Sequence, residues 1–240
     1  LKAAERPLLL AGGGANDPGA SRFLLELAEA HGIPVAVSLR GKGAFPENHP
    51  LFLGLCGMHG TLAANRAAQK ADFILALGTR FSERTTGRAD RFAPGAKVLH
   101  VDIDPAEIGK NVPSRWSLVG SVATVLQKII EALGEWKKGS DSWGETVSRW
   151  KEEDRARLEL ESLGFSPRRI LKAIRSAMGD RALVTTDVGQ HQMWAAQHFE
   201  CCGPRSFITS GGMGTMGFGL PAAIGAAFAA PDRPLACLTG

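Results

Sequence analysis

The 240-residue chain contains no tyrosine and only four cysteines, Cys56, Cys201, Cys202 and Cys237. None of the four stands in a C-x-x-C pair. Adjacent Cys201 and Cys202 cannot bridge without strain, so neither a zinc site nor a disulfide framework is expected. Reduced thiols point to a cytoplasmic setting. The tyrosine deficit has no evident physical reason. Long apolar runs are missing as well. The most apolar stretch, Phe218 to Ala230, falls short of the roughly 20 residues a membrane helix needs and reads as a buried helix. Charge of one sign is nowhere concentrated: the formal net charge is +4, spread along the chain, which argues against a nucleic-acid groove. An initiating methionine is absent too. The chain opens at Leu1 and closes at Leu238-Thr239-Gly240, where a strand should run into a turn, so it is expected to be a fragment.

What is present is an alternation of strand and helix patterns. Residues 1–135 carry strand signals at Pro7–Ala11, Ile33–Val37, Asp72–Leu77, Ala96–Val101 and Ser117–Val119. Helix periodicity runs over Ala20–His31, Thr61–Lys70 and Val122–Leu133, with a short helix around Pro105–Gly109. Asn16-Asp17-Pro18-Gly19 supplies turn and capping chemistry, and Thr61 is placed to cap its helix. Unpatterned Val/Ile/Leu runs fit strands covered on both faces. The fold class expected is therefore α/β, a doubly wound parallel sheet with helices on both sides. Residues 136–165 differ: Trp136 to Trp143 reads as a linker, and Glu145 to Leu163 as a charged helix with a solvated face. A second, truncated α/β unit occupies 166–240. Its helices are expected at Arg168–Met178, Gln192–Phe199 and Gly219–Ala230, and its strands at Ala182–Thr186, Ser206–Thr209 and Leu235–Leu238.

In such sheets ligands bind beyond the carboxyl ends of the strands. The residues there are Gly12-Gly13-Gly14, Ser38-Leu39-Arg40-Gly41, Gly78-Thr79-Arg80, Asp102-Ile103-Asp104 and Gly120, and one crevice can gather them. Gly12 to Gly14 suit close backbone approach to an anion or, equally, a tight turn. Arg80 and Arg84, just past a strand, suit phosphate or carboxylate recognition or, alternatively, surface pairs with Glu83 and Asp90. His59 lies in a Gly-Met-His-Gly-Thr loop. Asp102 stands where a carboxylate would meet ribose hydroxyls, whereas Asp104 before Pro105 is a helix cap. Gly212-Met213-Gly214-Thr215-Met216-Gly217 matches G-x-G-x-x-G, which keeps a dinucleotide site open. The acidic residue that should follow would fall near Asp232, in a Pro-Asp-Arg-Pro turn, or past Gly240, which weakens that alternative without excluding it.

The motifs GMHGT (Gly57–Thr61), GTRFSERTTG (Gly78–Gly87), HVDIDPAEIGKN (His100–Asn111), DVGQHQMWAAQ (Asp187–Gln197) and SGGMGTMGFGLPAAIGA (Ser210–Ala226) occur in order. Together they resemble the middle domain and the start of the C-terminal domain of the acetolactate (acetohydroxyacid) synthase catalytic subunits, which are thiamine-diphosphate enzymes. The resemblance implies an FAD site in the middle domain lined by Gly12, Gly13, Ser38, Leu39, Met58, His59, Gly78, Thr79, Arg80, Asp102 and Ile103. The flavin of this family takes no part in the net chemistry. Arg84 would face the substrate channel. Val188, Gly189, Gln190 and His191 would contact thiamine diphosphate. Gly214, Thr215 and Met216 would hold its pyrimidine and its bend, with Met216 as the apolar prop or, on the plainer reading, a core residue. The implied reaction joins pyruvate to a second 2-oxoacid, pyruvate or 2-oxobutyrate, with loss of CO2, toward branched-chain amino acids. Dimers or tetramers and a regulatory subunit are implied, with no nucleic-acid or membrane partner. The family's catalytic glutamate belongs to an N-terminal domain, and its magnesium motif would begin at Gly240. No catalytic or metal residue is therefore expected within these 240 residues, and the chain alone is expected to be inactive. Three sites depart from the family pattern: Ser82-Glu83 for Asp-Asp, Ser121 for Asp, and Arg40 for Met. The first two bear on flavin affinity and the third on cofactor or channel contacts. Two alternatives stand beside this reading: another thiamine-diphosphate carboligase or decarboxylase, and a nucleotide-binding module without catalysis.

Overall fold

A computed structural model describes residues 1–136, 142–161 and 164–240. In the first unit, β1 (Pro7–Ala11), α1 (Pro18–His31), β2 (Val35–Val37), β3 (Phe52–Leu55), α2 (Leu62–Lys70), β4 (Phe73–Leu77), α3 (Glu83–Thr86), β5 (Lys97–Asp102), β6 (Trp116–Val119) and α4 (Val122–Leu133) succeed one another. The strands form one six-stranded parallel sheet in the order β3-β2-β1-β4-β5-β6. The order reverses between β1 and β4, which makes the crevice above those two strands the topological switch point. Each face of the sheet has its own core. Leu9, Ala11, Leu75 and Leu77 pack under α1 and α4. Leu8, Leu10, Ile74 and Ala76 pack on the side of α2. This period-2 division explains why β1 and β4 are apolar at every position.

Helix starts follow their capping chemistry. The Asp17 carboxylate accepts from Gly19 N–H at 3.0 Å, Thr61 Oγ1 from Ala64 N–H at 3.1 Å, and Ser121 Oγ from Thr124 N–H at 3.2 Å. Ser121, a departure from the family pattern, thus has a capping role of its own. Gly32, at φ +60°, closes α1.

Strand β3 and short α3 have no counterpart among the expected elements. In β3, Gly54 breaks the apolar run, yet a Cβ there would strike the Thr61 side chain, so the glycine lets the cap residue close onto the strand. The segment around Pro105 is a 3-10 turn, capped by Asp104, whose Oδ1 accepts from Ala106 N–H at 2.9 Å.

The expected linker requires correction. Residues 137–141 lie outside the described residues, but Trp143 belongs to α5 (Ser142–Glu161) and is 3% exposed. Its indole N–H donates to Pro7 O at 3.0 Å. Val147 is buried beside it, Trp150 packs against the same core, and Asp154 is buried. This stripe, spaced 143-147-150-154, turns α5 onto the first unit. The Asp154 carboxylate accepts from Ala63 N–H at 3.1 Å, capping α2 from a distance. Glu152, Glu153, Arg155 and Arg157 do face solvent. The charge density of the segment concealed a narrow apolar stripe. Leu163, the expected end of this helix, lies outside the described residues.

The second unit comprises α6 (Pro167–Met178), β7 (Leu183–Thr186), α7 (Gln190–His198), β8 (Phe207–Thr209), α8 (Gly219–Ala229) and β9 (Leu235–Leu238). Its strands form a parallel sheet in the order β8-β7-β9. The seam between the units is packed and bonded. Val184, Ala195, Phe199 and Phe207 share one core with Phe45 and Leu55. Lys42 Nζ meets Glu47 Oε2 at 2.6 Å, with both side chains nearly inaccessible. The same oxygen accepts from Cys201 N–H at 2.9 Å. Burial lowers the affinity of Lys42 for its proton, but the adjoining Glu47 carboxylate outweighs this and raises its pKa, so the ammonium stays charged. Arg205 N–H donates to Asn16 Oδ1 at 2.8 Å, and Arg205 Nη2 pairs with Asp17 at 3.0 Å.

Candidate cofactor-binding site

The loops at the carboxyl ends of the first sheet are joined edge to edge. Gly12 N–H donates to Leu77 O at 2.8 Å and Gly14 N–H to Gly78 O at 3.0 Å. Ser38 N–H donates to Ala11 O, Gly78 N–H to Val101 O, and Gly120 N–H to Asp102 O. One continuous rim therefore carries Ser38, Gly12, Gly78, Asp102 and Gly120 across the switch point. A Cβ on Gly12 would run into the Gly78 carbonyl, and one on Gly14 would lie 2.8 Å from Gly78 Cα. Gly78 itself is at φ +58°. These glycines are required by loop-on-loop packing. Gly13 differs: its Cβ would meet Arg40, whose side-chain Cβ would be nearest at 3.2 Å.

The remaining candidates divide by burial. Thr79 (3% exposed) and Asp102 (8%) are held inside the rim, whereas Met58, Arg80 and Ile103 stand in solvent at its mouth. Ser38 Oγ accepts from Gly41 N–H at 3.3 Å, and Leu39 packs partly buried against the core. Asp102 Oδ1 accepts from Asp104 N–H at 3.0 Å, a turn-forming role that occupies one of its oxygens. Met58 N–H donates to Arg84 O at 2.9 Å, and Arg84 Nη1 approaches Met58 Sδ at 3.5 Å. The Met58-His59 loop and Arg84 are thus fastened to each other. Partial burial, and then the Arg84 charge, lower the His59 pKa below the usual histidine value, so it is neutral at pH 7.

Three residues that pattern reading did not single out shape this rim. His100 is fully buried in β5. Gly109 N–H donates to its Nδ1 at 3.4 Å, leaving Nε2–H to donate to Thr79 O at 2.9 Å. Burial lowers its pKa, and the neutral imidazole pins the Gly78–Arg80 loop. Asn65 brackets Gly57, accepting from its N–H at 2.8 Å and donating to its carbonyl at 3.0 Å. Phe81 adopts φ +48° and is 1% exposed against Phe92 and His100. This strained anchor holds Arg80 at the mouth. A histidine inside an apolar strand was the one visible signal among the three.

In the second unit, Val188 and Gly189 turn the chain from β7 into α7. Gly189, at φ +156°, lies where a Cβ would be 3.0 Å from the His191 ring. The start of α7 is a helix N-terminus of the kind that suits a diphosphate, with Gln192 and Met193 N–H turned back onto Gly189 O at 3.1 and 3.3 Å. His191 Nε2 is buried and finds no hydrogen-bond partner among the described residues, an orphan that fits a bound polar group. Across from it, Thr215 N–H donates to Ser210 Oγ at 2.9 Å and Gly214 is at φ +64°. Met216 is 80% exposed. The helix start, the orphaned His191 nitrogen and the exposed Met216 side chain fit a thiamine diphosphate. The glycine-faced rim at the first switch point fits a dinucleotide-like cofactor.

The two mouths adjoin. Arg40 passes from Gly13 to the second unit, where a Cβ on Gly211 would lie 3.0 Å from its Cδ. Gln197 Nε2, on α7, donates to His59 O at 3.1 Å. A separate cleft of ≈ 220 Å³, lined by Lys42, His59, Lys151, Asp154 and Gln197 among others, lies at the seam rather than at the strand ends. Among the described residues no group of three or more His, Cys, Asp or Glu side chains is arranged to hold a metal, and no helix is long and apolar enough to cross a membrane.

Parallel sheets in succession, each with a phosphate-suited turn at its carboxyl edge, define a cofactor-binding class that sequence comparison specifies. Residues 1–129 match the thiamine pyrophosphate enzyme central domain, and residues 187–240 match the thiamine pyrophosphate enzyme C-terminal TPP binding domain. The chain belongs to the thiamine pyrophosphate enzymes. It is 46% identical to a probable acetolactate synthase large subunit of Methanocaldococcus jannaschii, over 98% of this chain and 41% of the relative. It is 45% identical to the acetolactate synthase large subunit of Parasynechococcus marenigrum, over all of this chain and 39% of the relative. It is 41% identical to the acetolactate synthase isozyme 3 large subunit of Escherichia coli, over all of this chain and 43% of the relative. The chain thus spans about two-fifths of the length of the curated relatives it matches.

Proposed function

We propose that this chain forms the cofactor-holding middle of an acetolactate synthase large subunit, which joins pyruvate to a second 2-oxoacid with loss of CO2 in branched-chain amino acid synthesis. The observation that carries this reading is the identity of 40–46% to proteins of that name along essentially the whole chain, through both rims described above. The division proposed is a flavin-binding unit over 1–135, a connecting segment over 136–165 and a thiamine-binding unit from 166.

Thiamine diphosphate, when bound, supplies the carbon nucleophile and the electron sink for decarboxylation. The chain's own residues bind and orient. Val188, Gly189 and Gln190 present a helix N-terminus to the diphosphate, with His191 beside it. Gly214 and Thr215 line the opposite wall, and Met216, free of the core, supports the bend of the cofactor. FAD would lie along the first rim against Gly12, Gly13, Ser38, Leu39, Met58, His59, Gly78, Thr79, Arg80, Asp102 and Ile103, as a structural group. Arg84, fastened to the Met58-His59 loop, offers a cation to the 2-oxoacid carboxylate in the channel. Mg2+ would accompany the diphosphate. A dimer or tetramer, a regulatory subunit and a cytoplasmic setting complete the proposal.

The test is to express the subunit carrying these residues and assay acetolactate formation from pyruvate with Mg2+, thiamine diphosphate and FAD. Product that depends on thiamine diphosphate is expected. Binding of both cofactors with release of acetaldehyde alone would favour a decarboxylase instead.

A further inference from the structure

The Asp187 side chain is an acceptor hub between the two walls of the second crevice. It follows β7, the central strand of its sheet, and its own N–H is fixed to Leu238 O at 3.0 Å. Oδ1 accepts from Val188 N–H at 2.7 Å and from Gly217 N–H at 2.9 Å. Oδ2 is also 2.9 Å from Gly217 N and receives Gly219 N–H at 3.4 Å. One carboxylate therefore binds the turn that opens α7, the end of the glycine-rich loop and the first residue of α8. Charge-assisted bonds of this kind are among the stronger ones, and a negative charge suits the start of a helix.

Little else restrains the loop. Residues 212–217 are exposed throughout, and Gly214 and Gly217 adopt positive φ. Apart from Asp187, its anchors among the described residues are at its near end, where Gly214 N–H reaches Ser210 O at 3.1 Å and Thr215 N–H reaches Ser210 Oγ. The far end, from which Met216 projects, is held by Asp187. The contact is also closely fitted: a Cβ on Gly219 would lie 2.7 Å from Asp187 N, so the start of α8 packs directly on the residue that caps it.

We propose that Asp187 is a positioning residue that fixes the distance between the 188–191 turn and the 214–216 loop, and thereby sets the affinity of the crevice for thiamine diphosphate. This rests on reading that crevice as the thiamine site. Asp187 touches no reacting atom. Its backbone donors leave it an ionised acceptor: hydrogen bonding from Val188, and then from Gly217 and Gly219, lowers its pKa against a smaller opposing effect of burial.

The experiment compares wild type, Asp187→Asn and Asp187→Ala in the subunit carrying this chain. Thiamine diphosphate affinity is measured by calorimetry with Mg2+ present, alongside flavin content, cofactor-free Tm and kcat at saturating cofactor. The expected result is a Kd raised at least tenfold in the Ala variant and severalfold in the Asn variant, which keeps one acceptor oxygen. Flavin content should be unchanged and kcat at saturation within about threefold of wild type. A general structural defect would instead lower Tm, flavin content and kcat together, and would overturn the proposal. So would a folded Ala variant of wild-type Kd. If Asp187→Ala does not fold, Asp187→Asn decides on the same criteria. Failure of the wild type to bind thiamine diphosphate would remove the underlying reading of the crevice, a result distinct from unaltered affinity in the variants.

Discussion

The two rims are built on opposite principles. At the first switch point the loops are locked into the sheet. Gly12 and Gly78 touch backbone to backbone, and Thr79 is buried under a neutral histidine. In the second unit the glycine-rich loop stands clear of the core, with Met213 91% and Met216 80% exposed, tied by side-chain acceptors at its two ends. Both use glycine, but for different reasons. In the first rim glycine removes a Cβ for which there is no room. In the second it supplies backbone angles in open space. A preformed rim suits a cofactor that serves as structure, and a tethered loop suits one that must be held in a particular bend.

The seam supports both rims, so breaking it should produce the largest effect. Glu47→Ala leaves the Lys42 ammonium buried without its partner and deprives Cys201 N–H of its acceptor. We expect a loss of about 3–5 kcal/mol in chemical unfolding. Lys42→Met with Glu47→Leu should recover part of it, because no charge is then stranded, although Cys201 N–H still lacks its acceptor. A double variant as unstable as the single one would show that the pair contributes more than mutual neutralisation.

Gly12→Ala comes next. Its Cβ meets the Gly78 carbonyl and would lie 2.6 Å from Thr79 Cα, backbone that cannot swing aside, so about 3 kcal/mol is expected. Flavin absorbance of the purified protein should fall with it. Retention of full flavin and stability would mean that the first rim is as yielding as the second.

A pH effect follows from α7, which links the rims. Burial, and then the positive charges of Arg168, Lys42 and Lys172, lower the His198 pKa to about 4. Its unfolded value is near 6.5. The folded state therefore keeps His198 neutral, and its full contribution is present above about pH 6.5. That contribution is lost as pH falls toward 4, because the unfolded chain takes up the proton first. Allowing for partial solvent contact, about 1–2 kcal/mol should disappear between pH 7 and pH 5. His198→Gln should flatten that part of the stability profile. An unchanged slope would place the acid sensitivity on other groups.

Much of this was legible in the sequence, and what was missed has a common cause. Apolar runs and caps give local signals, so α4 and β9 lie where their patterns end, and Asp17, Thr61 and Asp104 cap as their positions suggest. The strand-end residues were legible as a set because parallel topology gathers them. Contacts between distant segments were not. Nothing local tells that Asp154 caps α2, that Trp143 reaches Pro7, or that Asp187 receives Gly217 and Gly219. A buried acceptor and a surface carboxylate look alike in sequence, and β3 was hidden by its glycine.

The smallest expected effect tests the comparison most directly. Gly214, at φ +64°, has nothing within 4 Å of the position a Cβ would take. Gly214→Ala therefore meets no steric obstacle, and its cost is the left-handed backbone alone, about 1 kcal/mol. The loop is exposed and anchored at Ser210 and Asp187, so strain at Gly214 can relax outward without disturbing the core. Tm should move little, while thiamine diphosphate affinity weakens because the loop no longer rests in its bound shape. If Gly214→Ala destabilises the fold as much as Gly12→Ala, the second loop is braced like the first, and the contrast between a locked rim and a tethered one is wrong.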